Sequence, residues 1–111
     1  MAFTQDYIAC IRACRECEAA CLDCANMMNQ IEPGTMCEAL CKECAPACSQ
    51  CIDAMETDAD NVRSLCNACA EICTRCAIEC EKHDHEHCRK CAIACHQCAK
   101  VCREVVMGAA A

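Results

Sequence analysis

Hydrocarbon is scarce in this 111-residue chain. Leu, Ile, Val and Phe together number 15, and of the residues that count as hydrophobic 20 are cysteine and 20 alanine, leaving 22 larger apolar side chains. That is a thin supply for a core, and composition alone would admit disorder. No run of 18 or more apolar residues is present, so no segment suits a bilayer-spanning helix. Basic charge is short as well. Ten Lys and Arg against 17 Asp and Glu give a net charge of −7, which leaves no footprint for nucleic acid and favours cations as partners. The opening MAFTQDYIACIRAC lacks a basic region with an apolar stretch and cleavage site, and lacks a twin-arginine start, so the expected compartment is the cytoplasm. The length suits one domain over residues 1–111.

What the chain has instead is cysteine in a strict order. In CNACAEICTRCAIEC, Cys66, Cys69, Cys73, Cys76 and Cys80 recur at steps of 3, 4, 3 and 4. Steps that alternate three and four average 3.5, so on a helix these thiols fall in one narrow line where a coiled coil places leucine. Cys10, Cys14, Cys17, Cys21 and Cys24 make a second stripe. Cys37, Cys41, Cys44, Cys48 and Cys51 make a third, and Cys88, Cys91, Cys95, Cys98 and Cys102 a fourth. Every cysteine belongs to a stripe, five per segment, and the chain reads as four repeated helical units.

Helix punctuation falls between the stripes. Pro33-Gly34 breaks the first connection, and Thr35-Met36-Cys37-Glu38 fits a capping box. Asp58 or Asp60 is expected to cap the third helix and Asp84 the fourth, with Gly108 after the last periodic residue. The expected spans are 4–30, 35–55, 59–82 and 85–106. Pro46 lies inside the second, on the face away from the cysteines, where a local kink is expected. Short connections favour an all-α, antiparallel up-down four-helix bundle with each stripe facing the axis. Alanines flank the stripes at Ala13, Ala20, Ala45, Ala47, Ala70, Ala77, Ala92, Ala94 and Ala99, so the helices can approach closely. The resulting tube of sulfur is roughly 21 Å long at 1.5 Å per residue.

Residues three and four apart on a helix are near enough for two sulfurs to grip one ion, and soft thiolates select Cu(I), zinc or iron-sulfur clusters. Charge separates the first two. Two-coordinate Cu(I) with bridging thiolates approaches one ion per sulfur and cancels charge throughout. Tetrathiolate zinc leaves a net −2 at each buried site, and taking uncompensated charge out of water costs several kcal/mol per ion. Iron-sulfur clusters use uneven local spacings. If cysteine served only as a small hydrophobe, Leu and Ile would be mixed into the stripes, and none are. Disulfides suit neither a regular helix nor a reducing compartment. A store or buffer of many Cu(I) ions, without catalysis, is therefore the expected function. A zinc or other soft-metal thiolate protein and a redox-active thiol protein stand as alternatives.

The four cysteine-striped helices, with the ECEKHDHEHC segment at 79–88 between the last two, resemble the bacterial copper storage proteins, more closely the cytosolic branch. The resemblance implies a bundle, commonly a tetramer, that holds Cu(I) along its axis, with all 20 cysteines as ligands. The two ends of the tube also differ. Past the outer cysteines, one end collects Phe3, Tyr7, Met55, Val62 and Val105 as an apolar plug. The other collects Met28 and His83 on the helical line, with Met27, Met36, His85 and His87 close by in the connections. Glu32, Glu81, Asp84 and Glu86 add negative potential there. Met28, His83, His85 and His87 are therefore candidate ligands where copper passes in and out. His96 is expected on the outer surface, as are Ile8, Leu22, Ile78 and Ile93, which could mark a subunit contact.

Overall fold

The structure, a computed structural model, describes the backbone of residues 2–110 and the side chains of residues 7–108. It contains four helices, α1 (Ala2–Ile31), α2 (Met36–Glu56), α3 (Val62–Cys80) and α4 (Glu86–Ala110), and no strand among the described residues. Each packs against its neighbours in sequence, and α4 returns to α1 to close a four-sided bundle. Sulfur contacts fix the directions. Cys24 meets Cys37 while Cys17 meets Cys44, so α1 and α2 run antiparallel, and the same reversal relates α2 to α3 and α1 to α4. The expected up-down topology is the one observed.

The core is made of sulfur and methyl groups. All 20 cysteines have zero solvent exposure and form one buried cluster with Ala13, Ala25, Ala45, Ala70, Ala77, Ala92 and Ala99. Larger hydrocarbon sits beside this column, as Leu40, Ile52 and Val101, or at one end, as Met55, Val62 and Val105. A protonated thiol packs as a small apolar group, so the column needs no metal in order to exclude water. Alanine lines the seams because its single methyl lets axes approach and costs no rotamer entropy.

The connections show where local sequence was decisive. Thr35 Oγ1 accepts a hydrogen bond from the Glu38 amide at 3.1 Å and so caps α2. Glu38 is itself buried. Its carboxylate accepts from the Gly34 amide and from Asn29 Nδ2, both at 2.9 Å, and pairs with Lys42 at 3.0 Å. The amide first, then Lys42 and Asn29, hold its carboxyl down to about 2. The box thus closes one residue further back than the usual reciprocal bond, onto Gly34, whose φ of 85° only glycine adopts freely.

Three expected boundaries are corrected. Asp58 does not cap α3: its φ of 51° makes it the left-handed residue that ends α2, with the Ala59 amide bonded back to the Ala54 carbonyl at 2.9 Å. Asp60 is not the cap either, because α3 begins at Val62 after Asn61. Asp84 pairs with Arg89 at 2.7 Å, and the cap position of α4 falls on His85. Gly108 does not stop α4, which continues through it. Pro46 lies on the solvent side of α2, and the helix runs unbroken through it.

Two outcomes follow. The metal-free protein should give a strongly helical circular dichroism spectrum, and stripping copper should leave that spectrum largely unchanged. Thr35→Ala should cost about 1 kcal/mol of stability, read as a lower denaturant midpoint with an unchanged slope.

Candidate metal centre

Each helix delivers its five sulfurs to the axis at alternating steps of three and four, and the phase of that alternation decides who meets whom. Followed in the direction of α1, both α1 and α4 step 4, 3, 4, 3, whereas α2 and α3 step 3, 4, 3, 4. Helices of equal phase keep their sulfurs level over the whole length. Between α2 and α3, Cys51–Cys66, Cys48–Cys69, Cys44–Cys73, Cys41–Cys76 and Cys37–Cys80 lie 3.0, 3.8, 3.5, 3.6 and 3.2 Å apart. Between α1 and α4, the rungs Cys10–Cys102, Cys14–Cys98, Cys17–Cys95, Cys21–Cys91 and Cys24–Cys88 measure 3.6, 3.6, 3.6, 3.7 and 3.8 Å.

The two ladders face each other to make five stacked layers. Diagonal contacts cross the axis, as in Cys17–Cys73 at 3.8 Å and Cys41–Cys91 at 3.7 Å. Contacts between layers run along single helices at the four-residue steps, such as Cys17–Cys21 at 4.0 Å and Cys69–Cys73 at 3.8 Å, and between paired helices, as in Cys21–Cys95 at 3.7 Å and Cys41–Cys80 at 3.9 Å. A sulfur in the middle of the stack, such as Cys17, therefore has neighbours beside, across and above it. Sets of four sulfurs lie within 4.8 Å of one another, for example Cys10, Cys51, Cys66 and Cys102, or Cys21, Cys76, Cys91 and Cys95. A cation placed at one such set is a single step from the next.

Protonation follows from the same crowding. Cys88 is pushed from 9.0 up to about 11, first by burial and then by the negative charge of Cys37 beside it. Within the stack, hydrogen bonding between sulfurs divides the thiols. A thiolate that accepts from adjacent thiols is stabilised, while its donors are held protonated. Cys44, bonded first to Cys17, is drawn down, and Cys73, bonded first to Cys17, is driven up. Such a cluster releases a few protons readily and the rest only when a cation takes their place.

The two ends differ as the sequence suggests, with one reassignment. At the Cys10 layer, Met55, Val62 and Val105 are buried, and Tyr7 is half-buried against the core; the Phe3 side chain lies outside the described residues. At the Cys24 layer, Met28 is fully buried with Sδ 3.7 Å from Cys88 Sγ. It is His87, not His83, that closes on the sulfurs. Its Nδ1 lies 3.5 Å from Cys24 Sγ and 3.6 Å from Cys88 Sγ, and its Nε2 is buried without a hydrogen-bond partner. Helix side chains lean toward the N-terminus, so a residue in the first turn of α4 reaches back over the mouth; that tilt is the signal that stripe counting omitted.

His83 and His85 gather outside it around Glu32, with ring nitrogens 3.5 and 3.9 Å from the same Oε1. Met27 is half-buried and Met36 is exposed. His96 is on the surface as expected, 3.0 Å from Glu81, and Ile8, Leu22, Ile78 and Ile93 point outward.

Comparison with known proteins supplies a context for this column of sulfur. A family model described as copper storage protein matches residues 1–107. The cysteine-rich protein YhjQ of Bacillus subtilis (strain 168), itself described as uncharacterized, is 41% identical over 102 residues, which are 87% of this chain and 93% of that one. The Cu(I)-bound copper storage protein BsCsp3 superposes with a TM-score of 0.83 at 40% identity, covering 91% of this chain and 98% of that one. A cytosolic copper storage protein from Streptomyces lividans, carrying five coppers, gives a TM-score of 0.88 at 32% identity, covering 96% and 97%.

The raised Cys88 thiol sets opposite pH trends for the empty and filled states. A folded-state value above the unfolded one contributes stability below the unfolded value, and that contribution is lost as pH rises through the folded one. The empty bundle should therefore lose stability between 9.0 and about 11, through Cys88. A filled bundle should instead release metal as acid reprotonates its thiolates. Denaturant midpoints measured across pH in both states check the pair of trends.

Proposed function

This chain belongs to the copper storage protein family, and from that premise we propose that it is a cytosolic, non-catalytic store of Cu(I) whose cargo is held by the 20 cysteine thiolates of one domain, residues 1–111. The observation that carries the reading is the unbroken stack of five four-sulfur layers with zero exposure. Two-coordinate Cu(I) balances one thiolate per ion when sulfurs bridge, so a full tube is neutral inside and the chain keeps its outer charge of −7. Neutrality matters because the stack excludes water, and unbalanced charge there costs several kcal/mol per ion. The interior offers thiols and hydrocarbon; His83, His85 and His87 lie beyond the sulfurs at one end and His96 on the outer surface.

Copper passes through that end. Met28 Sδ and His87 Nδ1 approach the last pair of thiols and offer weaker, neutral ligands than bridging thiolates, so an ion can rest there and move inward. His83 and His85 stand outside as the first imidazoles it meets. The opposite end presents mainly hydrocarbon, with Met55 its one thioether and no imidazole among the described residues. Assembly of four chains into a tetramer is part of the reading by family, and the exposed Ile8, Leu22, Ile78 and Ile93 supply apolar surface for contacts between copies.

One observation keeps a second reading open. Sulfurs 3.5–3.8 Å apart, as among Cys17, Cys44 and Cys73, also match the edge of a tetrahedral zinc site, about 3.8 Å for a zinc-sulfur bond of about 2.3 Å.

Anaerobic titration with Cu(I) separates the two readings. Saturation near 20 ions per chain, about one per thiol, is expected; saturation near five, about one per four thiols, would instead favour the tetrathiolate ion. Replacing His83, His85 and His87 together by alanine should slow both loading and removal by a Cu(I) chelator while leaving capacity almost unchanged, and His87→Ala alone should carry most of that effect. Lost capacity at unaltered rates would make these histidines storage ligands and not a gate.

A further inference from the structure

The outer group at the mouth differs in chemistry from everything inside it. His83 Nδ1 lies 3.5 Å and His85 Nε2 3.9 Å from one oxygen, Glu32 Oε1. Both separations exceed the 2.7–3.2 Å of a hydrogen bond. They approach the spacing between two ligands of one metal ion, about 3.3–3.6 Å for tetrahedral bonds of about 2.0–2.2 Å to nitrogen and oxygen, the second being a few tenths of an ångström wide. The remaining acids of this region already have basic partners. Asp84 holds Arg89, Glu86 holds Lys90 and Glu81 holds His96, which leaves Glu32 as the carboxylate facing imidazoles.

Two elements bring the set together. Glu32 sits at the end of α1, its amide bonded to the Met28 carbonyl at 2.8 Å, while His83 and His85 come from the turn between α3 and α4. His83 is only 18% exposed, and His85 is stacked on His87 with ring centroids 5.3 Å apart and planes 7° from parallel. The stack sets the outer imidazole parallel to the inner one that touches the sulfurs.

We propose that His83, His85 and Glu32 form a separate site for one divalent borderline cation, such as zinc, outside the thiolate tube. Two imidazoles and a carboxylate suit a borderline ion, whereas the hard carboxylate oxygen gives Cu(I) little and the thiolates behind it give far more. A divalent cation held there stands over His87, across the passage to Cys24 and Cys88. It acts as a plug: filled, the site slows the traffic of copper without taking any of the storage sulfurs. The plug matters only if the interior is a copper store, so the proposal rests on that reading for its role, though not for its ligands.

The test uses protein first loaded with Cu(I) to saturation, so that the thiols are occupied, and then equilibrated with zinc or, as a spectroscopic probe, cobalt(II). One divalent ion per chain should be retained in addition to the copper. Bound cobalt should lack the intense near-ultraviolet charge-transfer bands of thiolate ligation, and removal of copper by a Cu(I)-selective chelator should slow when zinc is present. Glu32→Gln should abolish retention and the slowing while the copper content stays at the wild-type level, and the double replacement His83→Ala with His85→Ala should abolish retention of the divalent ion. The proposal is overturned if loaded protein retains no divalent ion, if the variants retain it equally, or if cobalt shows thiolate bands. Failure of the storage reading would appear earlier and separately, as copper that never loads.

Discussion

Everything in this molecule depends on twenty sulfurs being kept out of water and level with one another. A cysteine side chain is short, so four helices can bring four sulfurs to 3.0–4.0 Å only if their axes approach closely and their stripes keep phase. Alanine at the seams meets the first condition. The second is met by the alternation of three- and four-residue steps, arranged so that α1 with α4 and α2 with α3 carry equal phase and form complete ladders. A single inserted residue would rotate one stripe by about 100° off the axis and leave its thiols facing alanine or solvent.

The column creates its own electrostatic problem. Thiols pack comfortably when protonated but bind metal only as thiolates, and twenty negative charges in a tube that admits no water cannot coexist without cations. Monovalent copper relieves this one charge at a time, at any of many equivalent positions. The packing that keeps protonated thiols out of water is the same packing that bridging Cu(I) would neutralise, so one scaffold suits both states.

The two ends of the tube differ in chemistry. Met55 at the end of α2, Val62 at the start of α3 and Val105 near the end of α4 bring mainly hydrocarbon to one end, while the end of α1, the α3–α4 connection and the first turn of α4 bring Met28, Glu32 and three histidines to the other. Glu38 contributes to that asymmetry at a distance: by tying Gly34, Asn29 and Lys42 together it fixes the α1–α2 connection beside the mouth. From sulfur and thioether, through the His87 ring, to imidazole and carboxylate, the donor atoms grow harder toward solvent.

The repeat determined the inward faces of four helices and the complete set of buried thiols, because a strict 3.5-residue period leaves a helix only one face to hide, and the short connections determined the antiparallel order. The repeat also separated the apolar end from the polar one. Boundaries were less legible: Asp58 looks like a cap in sequence but adopts a left-handed conformation to end the preceding helix, and Gly108 has no partner sequence that would make it stop α4. Only the tertiary structure decided which histidine touches sulfur. The choice between His83 and His87 turns on the lean of side chains in the first turn of α4 and on where α1 ends, and neither is a property of spacing along one helix. It likewise took two chain segments meeting in space, the end of α1 and the α3–α4 turn, to set His83 and His85 around Glu32, residues some fifty positions apart whose association no local pattern encodes.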